Sequence, residues 1–350
     1  MKLLIKNARI QKSLTHRELA QLMGIDQALI SKFESGTRKP TKPQLVQLSA
    51  ILQLDLHELK VQWLKEKVLY EIGDDALALE VFKVAEQEIK SKEITKTPAL
   101  VQKSLSKTLD KIDVLHNSLQ QLRAFDSYRI AQALELEYTF ESNRIEGNTL
   151  TLKETDLVIN EGLTISGKSM REHLEAINHK DAILLVKELA QAETIIAAKD
   201  ILSIHQLVLR GIENSYAGKY RNVQVMIKGS THLPPAPYLV EKQMEDFFYW
   251  YQDNRKAMHP VLLAAEMHER LVTIHPFIDG NGRTSRLLMN LILLQSGYVI
   301  ANIKGDTKSR MAYYTALEEA QTKGKKDTFL KLVANYELAA LERYVKVLGS

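Results

Sequence analysis

The sequence predicts a mainly α-helical protein: a five-helix N-terminal domain, a helical connector, and a helical body interrupted by one small β-hairpin. Three observations carry this reading. Pro and Gly are scarce between residues 44 and 146, which leaves room for uninterrupted helices. Apolar residues recur at helical spacing behind capping residues. Period-two alternation, the strand signal, is confined to "NVQVMIKG", residues 222–229. The chain divides as 1–60, 61–125 and 126–350.

The head opens with "THRELAQLMGI", where Thr15 is placed to cap a helix and Glu18, three residues on, completes a capping box. Leu19, Leu22 and Met23 then read as one inward face, and Gly24 as the stop. "DQALISKFESG" repeats the device with Asp26 as cap, Leu29, Ile30 and Phe33 inward, and Gly36 as terminator. Two short helices around a Gly-containing turn make a helix-turn-helix candidate. The second would present Gln27, Ala28, Ser31 and Lys32 outward, side chains suited to base edges, a thymine methyl and phosphates. A small bundle for protein contacts has the same spacing. "TKPQLVQLSAILQLDLHEL" supplies the closing helices. Residues 61–125 read as amphipathic helix with a packing and spacing role.

Charge is uneven. Residues 1–60 carry ten Lys/Arg against five Asp/Glu, whereas the remainder carries 37 against 38. A basic head suggests an anionic partner. The chain has no Cys, which excludes disulfides, thiol nucleophiles and thiolate metal sites. The N-terminus lacks a signal-peptide pattern and no run of 18 apolar residues occurs, so no membrane role and a cytoplasmic location are expected.

The densest chemistry is "HPFIDGNGRTSR", residues 275–286, between two apolar-periodic helices. Gly280 and Gly282 allow a tight turn and close ligand approach. Successive N–H groups ahead of a helix N-terminus form an anion nest, and Arg283 and Arg286 lie three apart on that helix. Asp279 suits a hard divalent cation that also holds phosphate oxygens. His275 is the nearby group able to take a proton near neutral pH. The chain has no P-loop, no kinase motif set and too few ligands here for a protein-held zinc. On composition alone, a decorated helix–helix turn fits the same residues.

Two resemblances extend this reading. "ARIQKSLTHRELAQLMGIDQALISKFESGTRKPTKPQLVQLSAIL" resembles the Cro and phage-repressor, or XRE, helix-turn-helix domain over about residues 3–60, departing at His16 where that family usually has Gln. It implies double-stranded DNA as partner, bound by a homodimer because one short helix reads few base pairs. "HPFIDGNGRTSR" is similar throughout to the signature of Fic proteins, and "REHLEAINHKDAI" and "RMAYYTALEEAQTKG" resemble that family's flanking helices. The likeness covers about residues 130–345 and implies an all-helical Fic core that moves AMP from ATP, with Mg²⁺, to a Ser, Thr or Tyr hydroxyl of a protein, itself included. It implies His275 as general base, Phe277 as the buried loop anchor, Asp279 as the Mg²⁺ ligand and Asn281 at the α-phosphate. Gly280 and Gly282 would supply backbone donors, Arg283 would meet the β-phosphate and Arg286 the γ-phosphate.

Residues 220–232 resemble the family's β-hairpin flap, with Val223, Val225 and Ile227 alternating toward one face to dock a target segment. An ordinary surface hairpin would alternate equally. "FESNRIEGNTLT" resembles the family's inhibitory motif at 142–147, with Ser142, Glu146 and Gly147 in register. The resemblance implies that Glu146 pairs with Arg286 in the γ-phosphate's place. Alternatives implied alongside are that Glu146 helps hydrolyse attached AMP, or that the Fic domain serves as the nucleotide sensor of a transcriptional regulator.

Overall fold

The computed structural model describes residues 1–73, 76–82, 98–122, 128–192 and 194–349. The chain forms two compact units, 1–91 and 92–350.

The first unit holds α1 (Lys2–Gln11), α2 (His16–Met23), α3 (Gln27–Ser35), α4 (Lys42–Leu52) and α5 (Leu56–Ile72). Its helix starts are where the capping residues stand. Thr15 and Glu18 exchange hydrogen bonds, Glu18 N–H donating to Thr15 Oγ1 at 3.2 Å and Thr15 N–H to Glu18 Oε2 at 2.8 Å. The Ala28 N–H donates to Asp26 at 2.6 Å. Such caps satisfy otherwise orphaned N–H groups and contribute about 1 kcal/mol each. Ile5, Leu19, Ile30, Phe33, Leu45 and Leu48 close the core. Leu22, expected inward, is exposed. Leu19 and Met23 are four apart and define the buried stripe of this two-turn helix, so Leu22 falls about 100° to one side of Met23.

The first unit extends beyond residue 60. The helix α5 runs on to Ile72 in the first unit. In the second unit, α6 (Pro98–Leu122) contributes Leu105, Leu109, Ile112 and Leu119 to the main core. Their helical spacing is therefore a packing face rather than a spacer.

The second unit continues with α7 (Tyr128–Ile145), α8 (Leu152–Asn160), α9 (Met170–Gln191), α10 (Ala198–Leu209), α11 (Val240–Asn254), α12 (Pro260–Ile274), α13 (Asn281–Gln295), α14 (Thr307–Lys323) and α15 (Asp327–Leu348). The helices α12 and α13 pair at its centre; α9 and α10 pack on α13, α15 packs on α12, and α6 packs on α15. The helix α13 is buried on nearly every side: its second half is mostly apolar, whereas its first turns bury Arg283, Thr284, Ser285 and Arg286. Its buried Asn290 is satisfied by the Ala301 backbone, accepting at 2.9 Å and donating at 3.3 Å.

The expected hairpin at 220–232 does not pair. Among the described residues no strand is assigned, and 220–232 is an extended excursion with a turn at 228–229. The returning arm contains Pro234 and Pro235, which have no N–H to donate to a ladder. Side chains do the tying instead. Gln224 donates to the Pro234 carbonyl at 3.1 Å, and Arg221 to those of Val223 and Pro235 at 3.0 and 2.6 Å. Val223 is exposed, so the alternation is not resolved into one buried and one free face.

Candidate active site

The six residues 275–280 carry the chain from α12 to α13. His275 ends α12 in the left-handed region, φ 50°, its N–H donating to Leu271. That conformation is strained for a residue with a Cβ and is held by what surrounds it. Arg221 Nε donates to the His275 carbonyl at 2.8 Å, and the Arg221 N–H donates to the Pro276 carbonyl at 2.9 Å. Imidazole Nδ1 lies 3.2 Å from the Val272 carbonyl. A carbonyl only accepts, so Nδ1 carries the hydrogen and Nε2 keeps its lone pair. Burial first, then the nearby Arg221 and His232, push the His275 pKa down to about 4. The ring is neutral at pH 7 and ready to accept a proton.

Phe277 is fully buried and stacks on His205, ring centroids 3.7 Å apart and nearly parallel. His205 in turn bridges Asp279 and Gly218: Nε2 sits 2.9 Å from the Asp279 carbonyl, and Nδ1 accepts the Gly218 N–H at 3.0 Å. Gly280 has φ 80°, and a Cβ there would meet the His205 ring at 3.3 Å. Asn281 accepts the Phe277 N–H at 3.0 Å and donates back to the Phe277 carbonyl at 2.9 Å. Its side chain thus closes the loop on itself.

Asp279 is engaged on both oxygens. Oδ1 accepts the Gly280 N–H at 2.6 Å, and Oδ2 accepts Arg171 Nη2 at 2.7 Å. Burial alone would raise its pKa; Arg283, the Gly280 N–H and Arg171 outweigh that and hold it below the usual carboxylate range. Among the described residues no three His, Asp or Glu side chains group to hold a metal. One partly exposed carboxylate suits Mg²⁺, which keeps several waters and takes its remaining ligands from phosphates.

The two arginines of α13 face different partners. Arg283 is buried and lies 3.4 Å from both Glu175 and Asp279. Arg286 is wholly buried and crosses to α7, where Nε donates to Ser142 Oγ at 3.0 Å and Nη2 to the Ser142 carbonyl at 3.0 Å. Nη2 also donates to Glu146 Oε1 at 2.6 Å, and Nη1 reaches the Tyr313 hydroxyl at 3.4 Å. Despite burial, Glu146 and the neighbouring tyrosines raise the Arg286 pKa, so its charge is permanent. Glu146 stands just past the end of α7, before Gly147 at φ 98°. Its Oε1 would lie 2.4 Å from a Cβ at position 282, so a side chain there would push the carboxylate from its present place. A motif at 142–147 and the first turns of α13 thus meet in one part-buried ion pair.

A Fic/DOC family model matches residues 195–293 and a helix-turn-helix model residues 5–59. The chain carries a Fic domain behind an N-terminal helix-turn-helix domain. It is 37% identical over 241 residues to the protein adenylyltransferase Fic of Nematostella vectensis, covering 68% of this chain and 55% of that protein. It is 35% identical over 254 residues to the protein adenylyltransferase fic-1 of Caenorhabditis briggsae, covering 71% and 49%. The chain therefore spans about half the length of these curated relatives. A solved structure of Fic-1 from C. elegans matches with a TM-score of 0.61 at 27% identity, over 95% of this chain and 97% of that one.

Within the Fic domain the supporting residues were not picked out from sequence. Arg171, Glu172 and Glu175 lie in the first turns of α9, inside a stretch noticed only as a helix. Glu172 accepts from the Thr149 hydroxyl and N–H and from Ser169, which takes its pKa down to about 2. Asn148 donates to Glu175 at 3.0 Å. These bonds fix the turn that follows Glu146 to α9. From the other side, the Tyr314 hydroxyl donates to the Ile145 carbonyl at 2.8 Å. A cavity of about 710 Å³ elsewhere in this unit is lined by Leu134, Lys187, Tyr298 and Arg343, and by none of residues 275–286.

In the helix-turn-helix domain, Gln27, Ala28, Ser31 and Lys32 are all exposed on α3. His16 is bound instead to Glu34 at 2.9 Å, a carboxylate also gripped by Arg9 at 2.6 and 2.9 Å. Among the described residues no helix is long and apolar enough to cross a membrane.

Proposed function

We propose that this chain transfers AMP from ATP to a hydroxyl side chain of a protein and that Glu146 restrains the reaction. The observation that carries the proposal is the pairing of Glu146 with the buried Arg286 beside the His275 loop. In the reaction, Nε2 of His275 takes the proton of the hydroxyl. The oxygen forms a bond to the α-phosphorus, the bond from that phosphorus to the α–β bridging oxygen breaks, and pyrophosphate leaves. Phosphoryl chemistry of this kind asks for positioning and charge neutralisation. Arg283 and the N–H groups at the start of α13 are placed to meet phosphates. Asp279 would hold Mg²⁺, which supplies neutralisation of phosphate charge when bound.

Arg286 is the cation for the terminal phosphate, and Glu146 takes that phosphate's place. Nucleotide then binds with its α-phosphate out of line, and a misplacement of ~1 Å costs about a hundredfold in rate. The test uses α- and γ-labelled ATP with the full chain. Label on protein from the α position alone supports the proposal; label from the γ position alone ends it.

A second role for Glu146 draws support from its carboxylate being only partly buried, which leaves it able to orient water. It would then remove AMP as well as restrain its transfer. Purified AMP-modified protein given fresh enzyme without ATP decides this: release by wild type and not by Glu146→Gly assigns the hydrolytic role.

The first unit, we infer, binds double-stranded DNA as a homodimer, α3 entering the major groove with Gln27, Ala28 and Ser31 at base edges and Lys32 at a phosphate. The exposure of these four side chains and the basic balance of the head support it. Selection from random duplexes at low salt tests it, and failure to enrich any sequence would remove it.

A further inference from the structure

Asp279 meets its nearest cation from outside the loop. Arg171 stands in the first turn of α9, 108 residues earlier in the chain, and its Nη2 lies 2.7 Å from Asp279 Oδ2. Oδ1 is already committed to the Gly280 N–H. The oxygen that Arg171 covers is therefore the one that binds no N–H of the loop. A guanidinium at that distance opposes a hydrated divalent cation on the same oxygen, because two cations repel at close range and compete for one carboxylate's charge.

The way Arg171 is held suits an arm that lets go. Its Nε donates to Glu175 Oε1 at 3.2 Å, one turn along the same helix. The side chain is 57% exposed, so its terminal nitrogens can swing into water while Nε stays anchored. Arg283, the other cation near Asp279, is 3% exposed and 3.4 Å away. Only Arg171 combines a short contact with freedom to leave. Without it, the Asp279 carboxylate would stand beside the phosphates of an arriving nucleotide with weaker compensation.

We propose that Arg171 is a built-in stand-in for the divalent metal: its guanidinium holds Asp279 Oδ2 in the resting site, and Mg²⁺ must displace it to bind. This rests on the reading of Asp279 as metal ligand. The competition makes nucleotide binding more demanding of Mg²⁺ than Asp279 alone would require. It also ties the metal position to the restraining turn, because Glu175, which anchors Arg171, accepts the hydrogen bond from Asn148.

The test is calorimetric titration of the full chain with ATP, once with Mg²⁺ and once with a chelator. The background is His275→Ala with Glu146→Gly, so that neither turnover nor the restraint contributes. In Arg171→Met, ATP with Mg²⁺ is expected to bind three- to tenfold tighter, whereas ATP without metal binds equally or more weakly. Arg171→Lys, which restores a cation, returns binding with Mg²⁺ toward that of the parent. Unchanged or weaker binding with Mg²⁺ in Arg171→Met overturns the proposal, and weaker binding in both conditions would make Arg171 a phosphate ligand instead. Asp279→Asn separates the underlying reading. If it keeps the full Mg²⁺ enhancement, Asp279 is not the metal ligand and both fall; if it loses the enhancement while Arg171→Met binds as the parent does, only the stand-in falls.

Discussion

The stretch 275–286 and the start of α3 are both short polar stretches at the start of a helix, yet the protein treats them in opposite ways. At 275–286 the polar groups are buried or half-buried and mutually bound: Arg286 holds Ser142 and Glu146, Asn281 closes on Phe277, and Asp279 meets Gly280 and Arg171. On α3, Gln27, Ala28, Ser31 and Lys32 face solvent. A buried group works through the geometry its neighbours impose, and removing one leaves partners unsatisfied. An exposed group works through a partner that arrives from solution, and its loss subtracts one contact among several. Changes in the loop should therefore act nearly all-or-none, and changes on α3 by degrees.

The largest expected effect is at His275. His275→Ala, in a chain released by Glu146→Gly, should lower AMP transfer by about 10²–10⁴-fold, the usual worth of a positioned base. ATP affinity measured by calorimetry should change little. A loss of less than tenfold would place the base elsewhere and break the comparison at its strongest point.

The pH profile sharpens the same point. An imidazole with the ordinary value near 6.5 would lose about tenfold in its neutral fraction by pH 5.5. Because the His275 pKa is pushed down to about 4, kcat/KM of the released enzyme should be nearly flat from pH 7.5 to 5.5. The sign for stability follows. A histidine held neutral in the fold contributes stability above its unfolded pKa, and this is lost as pH falls from about 6.5 through about 4. His205, also pushed to about 4 by burial, acts in the same direction. Circular dichroism at each pH separates loss of fold from loss of base, and an activity limb near 6.5 would contradict the buried neutral ring.

Much of this was legible in the sequence, for reasons that can be located. Thr15, Asp26 and their partners act within three residues, so caps are visible as local pattern. The loop between α12 and α13 was visible because two apolar helices bracket it. Glu146 and Ser142, the partners of Arg286, were legible only through the resemblance at 142–147. Other partners that set the site were not visible: Arg171 lies 108 residues from Asp279, and Arg221 lies 54 from His275. Nothing local marks an arginine as the one that crosses such a gap. The flap misled for a different reason: "NVQVMIKG" has strand periodicity, but the arm that should pair with it is Pro-rich, and periodicity in one segment says nothing of donors in the other. In Leu22, an apolar residue in a short helix was counted toward a face that Leu19 and Met23 already fill.

On α3 the effects should be small and separable. Lys32→Ala should weaken DNA binding on all sequences alike and reduce the salt slope by about one unit, as loss of one phosphate contact does. Gln27→Ala should cost about 1–3 kcal/mol on the preferred site and relax preference at one base position. Binding curves at several salt concentrations distinguish the two, and an all-or-none loss from either change would erase the contrast with the loop.

The central claim is that Glu146, by holding Arg286, keeps the Fic domain at rest. The direct measurement is the initial rate of α-labelled AMP incorporation by wild type and by Glu146→Gly at equal ATP and Mg²⁺. Removing the carboxylate frees Arg286 while Ser142 still positions its Nε and Nη2. The rate is expected to rise at least tenfold. An unchanged rate, in a variant that circular dichroism shows to be folded, would mean that the 2.6 Å ion pair is only structural and that the restraint lies elsewhere.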